Sequence, residues 1–393
     1  GAGGFLLRGE LALPEHEDLD FGALIDYLSA SPTRFLQLGG DGRYFALSPA
    51  LRSRLEEVLG FGERSGRGLK IPGLLAPLCA ELLEGVRLSG DAGWRRQLER
   101  FAASTTGEDP PVPATLRAEL RPYQAEGFRW LWRLGRWGAG ACLADDMGLG
   151  KTVQAIALLL ARAEEGPALV IAPTSVVPTW LDELRRFAPT LQVHEHWGAT
   201  RPKELGSLGP FDVLLTSQSL LPLDIEALEQ VAFGTVILDE AQGIKNAATR
   251  RAQAARRLRA GQRVATTGTP IENRLDDLHS IFSFLNPGLL GSAESFQARF
   301  ARPIERDRDP AARERLRRLV APFVLRRSKT QVLPELPPRT EVTLRVPLEP
   351  EEAALYEAVR QRALAELAAE AADGGKRRMQ LLAAITRLRQ AAS

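Results

Sequence analysis

Asp145-Asp146-Met147-Gly148-Leu149-Gly150-Lys151-Thr152 is a glycine-rich turn that closes on Lys-Thr, a pattern with which backbone wraps the phosphates of a nucleotide when it follows a strand and opens a helix. Both neighbours read that way. Ala141 to Ala144 is a short apolar run, and Val153, Ile156, Ala157 and Leu160 recur at the period of an amphipathic helix. The turn therefore sits at a helix N-terminus, where unpaired N–H groups and the positive end of the dipole favour phosphate. Lys151 can reach the β and γ phosphates, and the Thr152 hydroxyl can hold magnesium. Asp145 stands where the usual G-x-x-x-x-G-K-[ST] pattern has its first glycine, so these eight residues alone leave a plain strand-turn-helix open.

Outward from this turn, from about Leu116, apolar strands alternate with helices, which predicts a mostly parallel sheet covered on both faces. The expected strands are Ala141 to Ala144, Ala168 to Ala172, Leu191 to His196, Asp212 to Thr216, Thr235 to Leu238 and Arg263 to Thr267. Ligands of such sheets lie beyond the carboxyl ends of the strands. At one of those ends, Val236-Ile237-Leu238 runs into Asp239 and Glu240. ATP hydrolysis needs one carboxylate for magnesium, the part given to Asp239, and a group to orient the attacking water, the part given to Glu240. In isolation the pair also reads as a solvated acidic turn. At another end, Thr267-Gly268-Thr269-Pro270 is either a common turn or a sensor of the γ phosphate.

The chain of 393 residues has room for two or three domains, and 44% hydrophobic with 25% charged residues is ordinary globular composition. No apolar run is long enough to span a bilayer and the N-terminus lacks a signal pattern, so a cytoplasmic protein with no membrane partner is expected. Cys79 and Cys142 form neither a disulfide framework nor a metal site, and Cys142 reads as a small buried residue. A net charge of +2 does not argue for nucleic acid; residues 1–110 hold 12 Lys/Arg against 16 Asp/Glu, which places any basic surface later.

Residues 1–112 read as a small α+β accessory domain ending in a proline-rich linker. Its expected elements are a hairpin, Arg34 to Gln37 with Arg43 to Leu47 around Gly39-Gly40-Asp41-Gly42, and helices at Pro49 to Leu59, Ile71 to Glu84 and Gly93 to Ala102. The chain starts Gly1-Ala2-Gly3-Gly4 without methionine and stops at Ser393 soon after a helical stretch, so an excised piece of a longer protein is expected.

The ordered set of segments resembles the sucrose-nonfermenting-type (Snf) ATPases of helicase superfamily two, of the bacterial kind. The matching segments are Leu120-Arg121-Pro122-Tyr123-Gln124, DDMGLGKT, Ala172-Pro173-Thr174-Ser175 with Trp180, DEAQGIKN from Asp239, TGTPIEN from Thr267, and FVLRRSKTQVLPELPP from Phe323. The resemblance covers roughly 116 to 390 and implies ATP and Mg2+ as cofactors and a RecA-like lobe at 113–338 with a helical protrusion at about 289–327. It also implies that 339–393 is the start of a second lobe, whose remaining motifs are absent. It implies that Arg121, Tyr123, Gln124, Asp146, Met147, Gly148, Leu149, Gly150, Lys151 and Thr152 bind nucleotide, with Lys151, Asp239 and Glu240 catalytic and Thr152 and Asp239 on Mg2+. Gln242, Gly268 and Thr269 would couple nucleotide state to motion, and Asp145 is normal for the family.

Pro173, Thr174, Ser175, Thr216 and Ser217 occupy segments that in such ATPases touch the phosphate backbone of double-stranded DNA, which implies little sequence preference and strong salt dependence. Thr216 and Ser217 also read as plain strand-end hydroxyls. Trp130, Trp132, Trp137 and Trp180 fall on helical periods and read as core, Arg250 to Arg259 as a solvated helix face, and Arg313 to Lys329 as either a phosphate-contacting stretch or not. The functional expectation is an ATP-driven duplex-DNA translocase that remodels protein–DNA complexes, partnered by the second lobe of its full-length protein. The alternatives are an ATPase with a protein client such as RNA polymerase docked on residues 1–110, and a nucleotide-gated binding protein without useful hydrolysis. Because the second lobe supplies arginine fingers, residues 1–393 alone are expected to hydrolyse ATP very slowly, and residues 340–393 to leave an apolar helix face exposed.

Overall fold

A computed structural model describes residues 4–11, 19–20, 24, 26, 28, 35–38, 43–66, 68–84, 88–106, 108–198, 201, 205–268, 274–332, 349–369 and 374–391. The chain divides into two compact units, Gly1–Pro334 and Glu335–Ser393.

The first unit is built on a seven-stranded sheet: β1 (Ala141–Leu143), β2 (Ala168–Ala172), β3 (Gln192–His196), β4 (Asp212–Ser217), β5 (Ala232–Leu238), β6 (Arg259–Thr266) and β7 (Val324–Leu325). The order is β3-β4-β2-β5-β6-β1-β7 and every pair is parallel. Strand periodicity puts neighbours on opposite faces, and both faces are apolar. Val170, Ile237 and Val264 join one core with Phe128, Ile156 and Trp180. Leu169, Ile171, Val236, Leu238 and Ala265 join a second with Ala255 and Phe284. The helices Pro122–Trp137, Lys151–Ala161 and Val177–Phe187 thus cover one side, and Arg250–Arg257 and Leu275–Leu285 the other. Cys142 is fully buried between them, and burial pushes its thiol up to about 12.

Ahead of this sheet, Phe5–Leu11 pairs antiparallel with Leu19–Asp20, Gly68–Ile71 and Leu88–Gly90. Glu63–Ser65 pairs with Gly68–Ile71. Phe35–Leu38 and Arg43–Ala46 form the expected antiparallel hairpin, whose turn lies outside the described residues. The helix Pro49–Leu59 is capped by Ser48 as its residues suggest, whereas the expected helix from Ile71 to Glu84 is three elements. Gly68–Ile71 is a strand, Gly73–Leu75 a 3-10 turn and Ala76–Leu82 a helix. Pro72 is the physical reason, because it disfavours helical backbone at Ile71. The last helix, Ala92–Thr106, buries Trp94 against Phe5 with ring centroids 4.7 Å apart. This small domain packs on the large sheet through Phe101, whose ring meets Trp137 at 5.0 Å; Trp137 in turn stacks on Phe323 at 5.5 Å.

One further expectation is corrected. The strands are those foreseen with ends shifted by up to four residues, but β7 is additional. The helices Ala293–Phe296, Arg302–Glu305 and Pro310–Val320 form a helical stretch ahead of Val324. The segment after it returns to the edge of the sheet beside β1.

In the second unit, Pro350–Ala369 and Gly374–Ala391 are helices bridged by Arg387 Nη1 and Glu366 Oε2 at 3.4 Å. Leu355, Leu364, Leu381, Leu382 and Ile385 are exposed, as the apolar face expected there. The start of the second lobe that the resemblance implies from residue 339 lies, up to residue 348, outside the described residues.

Candidate nucleotide-binding and hydrolytic site

β1 runs into the phosphate-type loop, and Lys151 opens the helix Lys151–Ala161. Gly148 and Gly150 adopt φ of 84° and 74°, left-handed backbone that glycine reaches without penalty. At Gly150 a Cβ would also stand 2.4 Å from Gln124 Nε2, so the loop closes only around glycine. Lys151 Nζ donates into the loop, to the carbonyls of Asp145 at 2.7 Å and Asp146 at 3.2 Å. Burial lowers the ammonium's pKa, opposed by the charges of Glu240, Asp145, Asp239 and Asp146. The charges of all four carboxylates thus act on this one cation. Tyr123 Oη and Gln124 Nε2 both donate to Leu149 O at 3.1 Å, and Gln124 Oε1 accepts from Arg121 N at 2.9 Å. The start of the helix Pro122–Trp137 is thereby tied to the loop. Met147 is 65% exposed, and Gly268 lies above it: a Cβ there would be 2.6 Å from Met147 Cγ and 3.6 Å from Lys151 Nζ.

β5 delivers Asp239 to the same edge of the sheet. Its Oδ2 accepts from the indole Nε1 of Trp180 at 2.8 Å, and its Oδ1 accepts from Glu240 N at 3.0 Å and from Thr266 Oγ1. Three donors hold one carboxylate in place. Glu240 carries φ of 49°, rare for a side chain other than glycine; such strain costs on the order of 1–3 kcal/mol and gathers at functional sites. Gln218 Nε2 secures this backbone by donating to the carbonyls of Asp239 at 2.6 Å and Glu240 at 3.1 Å. From Glu240 a relay leads away: Gln242 Nε2 donates to Glu240 Oε2 at 2.7 Å, and Thr267 Oγ1 donates to Gln242 Oε1 at 3.0 Å. Gln242 thus bridges Glu240 to Thr267, just past the end of β6, whereas Thr269, expected to act with it, lies outside the described residues.

The donor set fits Mg·ATP. Magnesium favours one or two carboxylates together with substrate phosphates. Among the described residues no group of three or more His, Cys, Asp or Glu could hold a metal unaided, while Asp239 faces a loop whose lysine and threonine would take the phosphates. Bound there, ATP supplies the phosphoanhydride to be broken. The chain would meet it with the cation at Lys151 Nζ and the oriented carboxylate of Asp239, and Glu240 stands next to that carboxylate in the chain.

Sequence reasoning missed four contributors. Asp145 is fully buried: Arg327 donates to its Oδ1 from Nε at 3.0 Å and from its backbone N at 3.1 Å, and to its Oδ2 from Nη2 at 2.5 Å. Arg327 Nη2 also reaches Gln154 Oε1 at 2.9 Å. Backbone bonds from Ala144 to Leu325 and from Asp146 to Arg327 extend the clamp along the loop. Trp180 is core as expected, but its N–H has a further task, and a buried indole N–H is itself a signal that a partner exists. Glu183, on the same helix as Trp180, has its carboxyl raised by burial and then by the charge of Asp239. Gln218 carries no signal in the sequence.

The expected DNA contacts divide. Pro173 is half-buried, and Thr174 and Ser175 are exposed just past β2. Thr216 is buried and its hydroxyl donates to His196 O at 2.8 Å; Ser217 is 2% exposed. Both thus close β4 as buried strand-end hydroxyls, and the strand runs one residue further than expected. Within Arg313 to Lys329, Arg317 pairs with Glu314, Arg318 with Glu57 and Arg327 with Asp145, which leaves fewer cations for phosphate than that stretch suggests. Of the Arg250 to Arg259 run, Arg257 pairs with Glu229 on the surface as a solvated face would, but Arg256 turns inward to Ala247 O and Arg259 already belongs to β6.

Residues 123–393 match the SNF2-related domain. YwqA of Bacillus subtilis (strain 168), provisionally named an ATP-dependent helicase/translocase, is 44% identical over 282 residues, 70% of this chain and 31% of that protein. The TATA-binding protein-associated factor mot1 of Schizosaccharomyces pombe is 36% identical over 273 residues, 62% of this chain and 14% of that protein. The Sulfolobus solfataricus SWI2/SNF2 ATPase core solved in complex with dsDNA superposes with a TM-score of 0.55 at 40% identity, covering 72% of this chain and 60% of that one. The chain thus spans less than a third of the length of these curated relatives.

Proposed function

The chain belongs to the SNF2-related domain family, and from that premise we propose that it is the first motor lobe of an ATP-driven translocase on double-stranded DNA that remodels protein–DNA complexes. The observation that carries this reading is the convergence on Lys151 of the phosphate loop and the Asp239–Glu240 pair, with Gln242 and Thr267 leading away from Glu240. A site that only gated binding would have no use for a water-orienting carboxylate wired to a strand end. In this reading Lys151, Thr152 and Asp239 hold Mg·ATP, Glu240 aligns water, and Arg121, Tyr123 and Gln124 bind the base end. Residues 1–112 are an accessory domain, 113–338 the lobe, and 339–393 the beginning of a second lobe whose remainder completes the site. A relative solved with dsDNA supports the DNA partner, and Pro173, Thr174 and Ser175 are the side chains offered to its phosphates.

A protein client is the second reading, favoured by the similarity to a TATA-binding protein-associated factor and served by residues 1–110 as the docking module. ATPase rate of the full-length protein with and without duplex DNA, beside Glu240→Gln, separates the two. Stimulation by DNA that vanishes in the variant supports the translocase. An active enzyme indifferent to DNA rejects it in favour of a protein client.

A further inference from the structure

At the opposite edge of the sheet, where β5 and β6 begin at Ala232 and Arg259, lies a cavity of about 610 Å³ walled by the accessory domain, the sheet and the helix Arg250–Arg257. Arg100, Arg256, Arg257, Arg259 and Arg263 all line it, and among the described residues no Asp or Glu does. Arg257 is matched from outside by Glu229, with bonds of 2.8 and 2.6 Å, and Arg256 donates to Ala247 O at 2.9 Å. Arg100 and Arg259 make no ion pair among the described residues. Arg263 is the unusual member. Its Nη2 donates to Leu258 O at 2.7 Å and its guanidinium lies 6.0 Å from the Phe284 ring, but its buried Nε has no partner. Burial lowers its pKa and no carboxylate acts against that. A guanidinium stays charged even so, so a partly buried cation with no carboxylate beside it lines the cavity, an arrangement that an anion in the cavity would relieve.

We propose that this cavity is a binding site for a compact polyphosphate anion, held by guanidinium forks from Arg100, Arg259 and Arg263. Phosphate oxygens match those forks pairwise, the volume lies in the range of small-molecule sites, and several negative charges in a small space are what this many unshared arginines call for. The site is distinct from the nucleotide loop, since β5 alone separates the two edges of the sheet by roughly 20 Å at strand rise.

Calorimetric titration with inorganic tripolyphosphate, without magnesium and in about 150 mM salt to screen loose surface binding, tests it. The protein carries Lys151→Ala, so that the phosphate loop does not contribute. The expected result is saturable one-site binding that weakens by about tenfold or more in Arg100→Gln/Arg259→Gln, a double variant of exposed residues whose thermal midpoint without ligand stays unchanged. No saturable binding, or equal affinity in the double variant, overturns the proposal. Displacement of tripolyphosphate by short duplex DNA, with the same dependence on Arg100 and Arg259, would overturn the small-anion assignment and give the cavity to a nucleic-acid backbone.

Discussion

Trp180 Nε1 donates to Asp239 Oδ2 at 2.8 Å across 59 positions of sequence, so a residue buried in one face of the sheet aims the carboxylate proposed to meet magnesium. A hydrogen bond to a charged group is worth about 1.5–3 kcal/mol. Trp180→Phe keeps most of the ring's packing and loses the donor. Its expected effect is a drop of about tenfold or more in ATPase rate of the full-length protein, with nucleotide affinity measured without magnesium nearly unchanged. Equal losses in both would mean that the indole serves packing alone.

Asp145 and Arg327 form a buried pair, 0% and 10% exposed at their side chains. Removing one partner leaves an uncompensated charge, which costs about 3–5 kcal/mol. Arg327→Ala is expected to lower the thermal unfolding midpoint markedly, whereas the paired change Asp145→Leu/Arg327→Met recovers much of it. Failure of the paired change to recover stability would show that the hydrogen bonds to Tyr123 O and Gln154, rather than the charge pairing, carry the effect.

Most of the sheet was legible in sequence, and the reasons for the exceptions are physical. β2 was foreseen to the residue because five consecutive buried apolar side chains, ALVIA, leave no other reading. β7 is two residues long, too short for any period, and it is placed by contacts at Phe323 that only the folded chain brings together. The Lys151, Asp239 and Glu240 group was legible because each member sits on a local motif. Arg327 was not, since its partner lies 182 residues earlier and nothing in an arginine-rich stretch marks one arginine as internal.

Glu240→Gln should still bind nucleotide through Lys151 while hydrolysis in the full-length protein falls by roughly a thousandfold, the scale of losing a group that acts with the transition state. Equilibrium binding of a fluorescent ATP analogue beside steady-state turnover checks both halves. Parallel loss of binding would place Glu240 in ground-state contact instead.

Residues 1–393 alone are expected to turn over ATP about a thousandfold to a hundred-thousandfold more slowly than the full-length protein, because arginine fingers contribute on that scale. Robust DNA-stimulated turnover by this stretch would show that its own arginines suffice.

Asp224 accepts from Arg201 Nε and Nη2 at 2.6 and 2.8 Å and contacts His196 Nε2 at 3.1 Å. The bonds from Arg201 hold its carboxyl below the usual carboxylate range, with His196 adding to them and burial opposing. A carboxyl with a depressed folded pKa contributes stability above its unfolded value, near 3.9, and loses it as pH falls through the folded value. Unfolding free energy should therefore fall from about pH 5 downward, and Asp224→Asn should flatten that slope. An unchanged acid limb in the variant would assign it to other carboxylates.

The chain leaving β7 does not go straight to solvent. It lays Arg327 along Asp145, gives Asp146 N its acceptor at Arg327 O, and lets Lys329 N donate to Asp146 Oδ2 at 3.0 Å before running on toward residue 333. A pull on the polypeptide beyond this point is borne first by the two aspartates that precede Met147. Tension in the chain and the shape of the glycine-rich loop therefore share one tether.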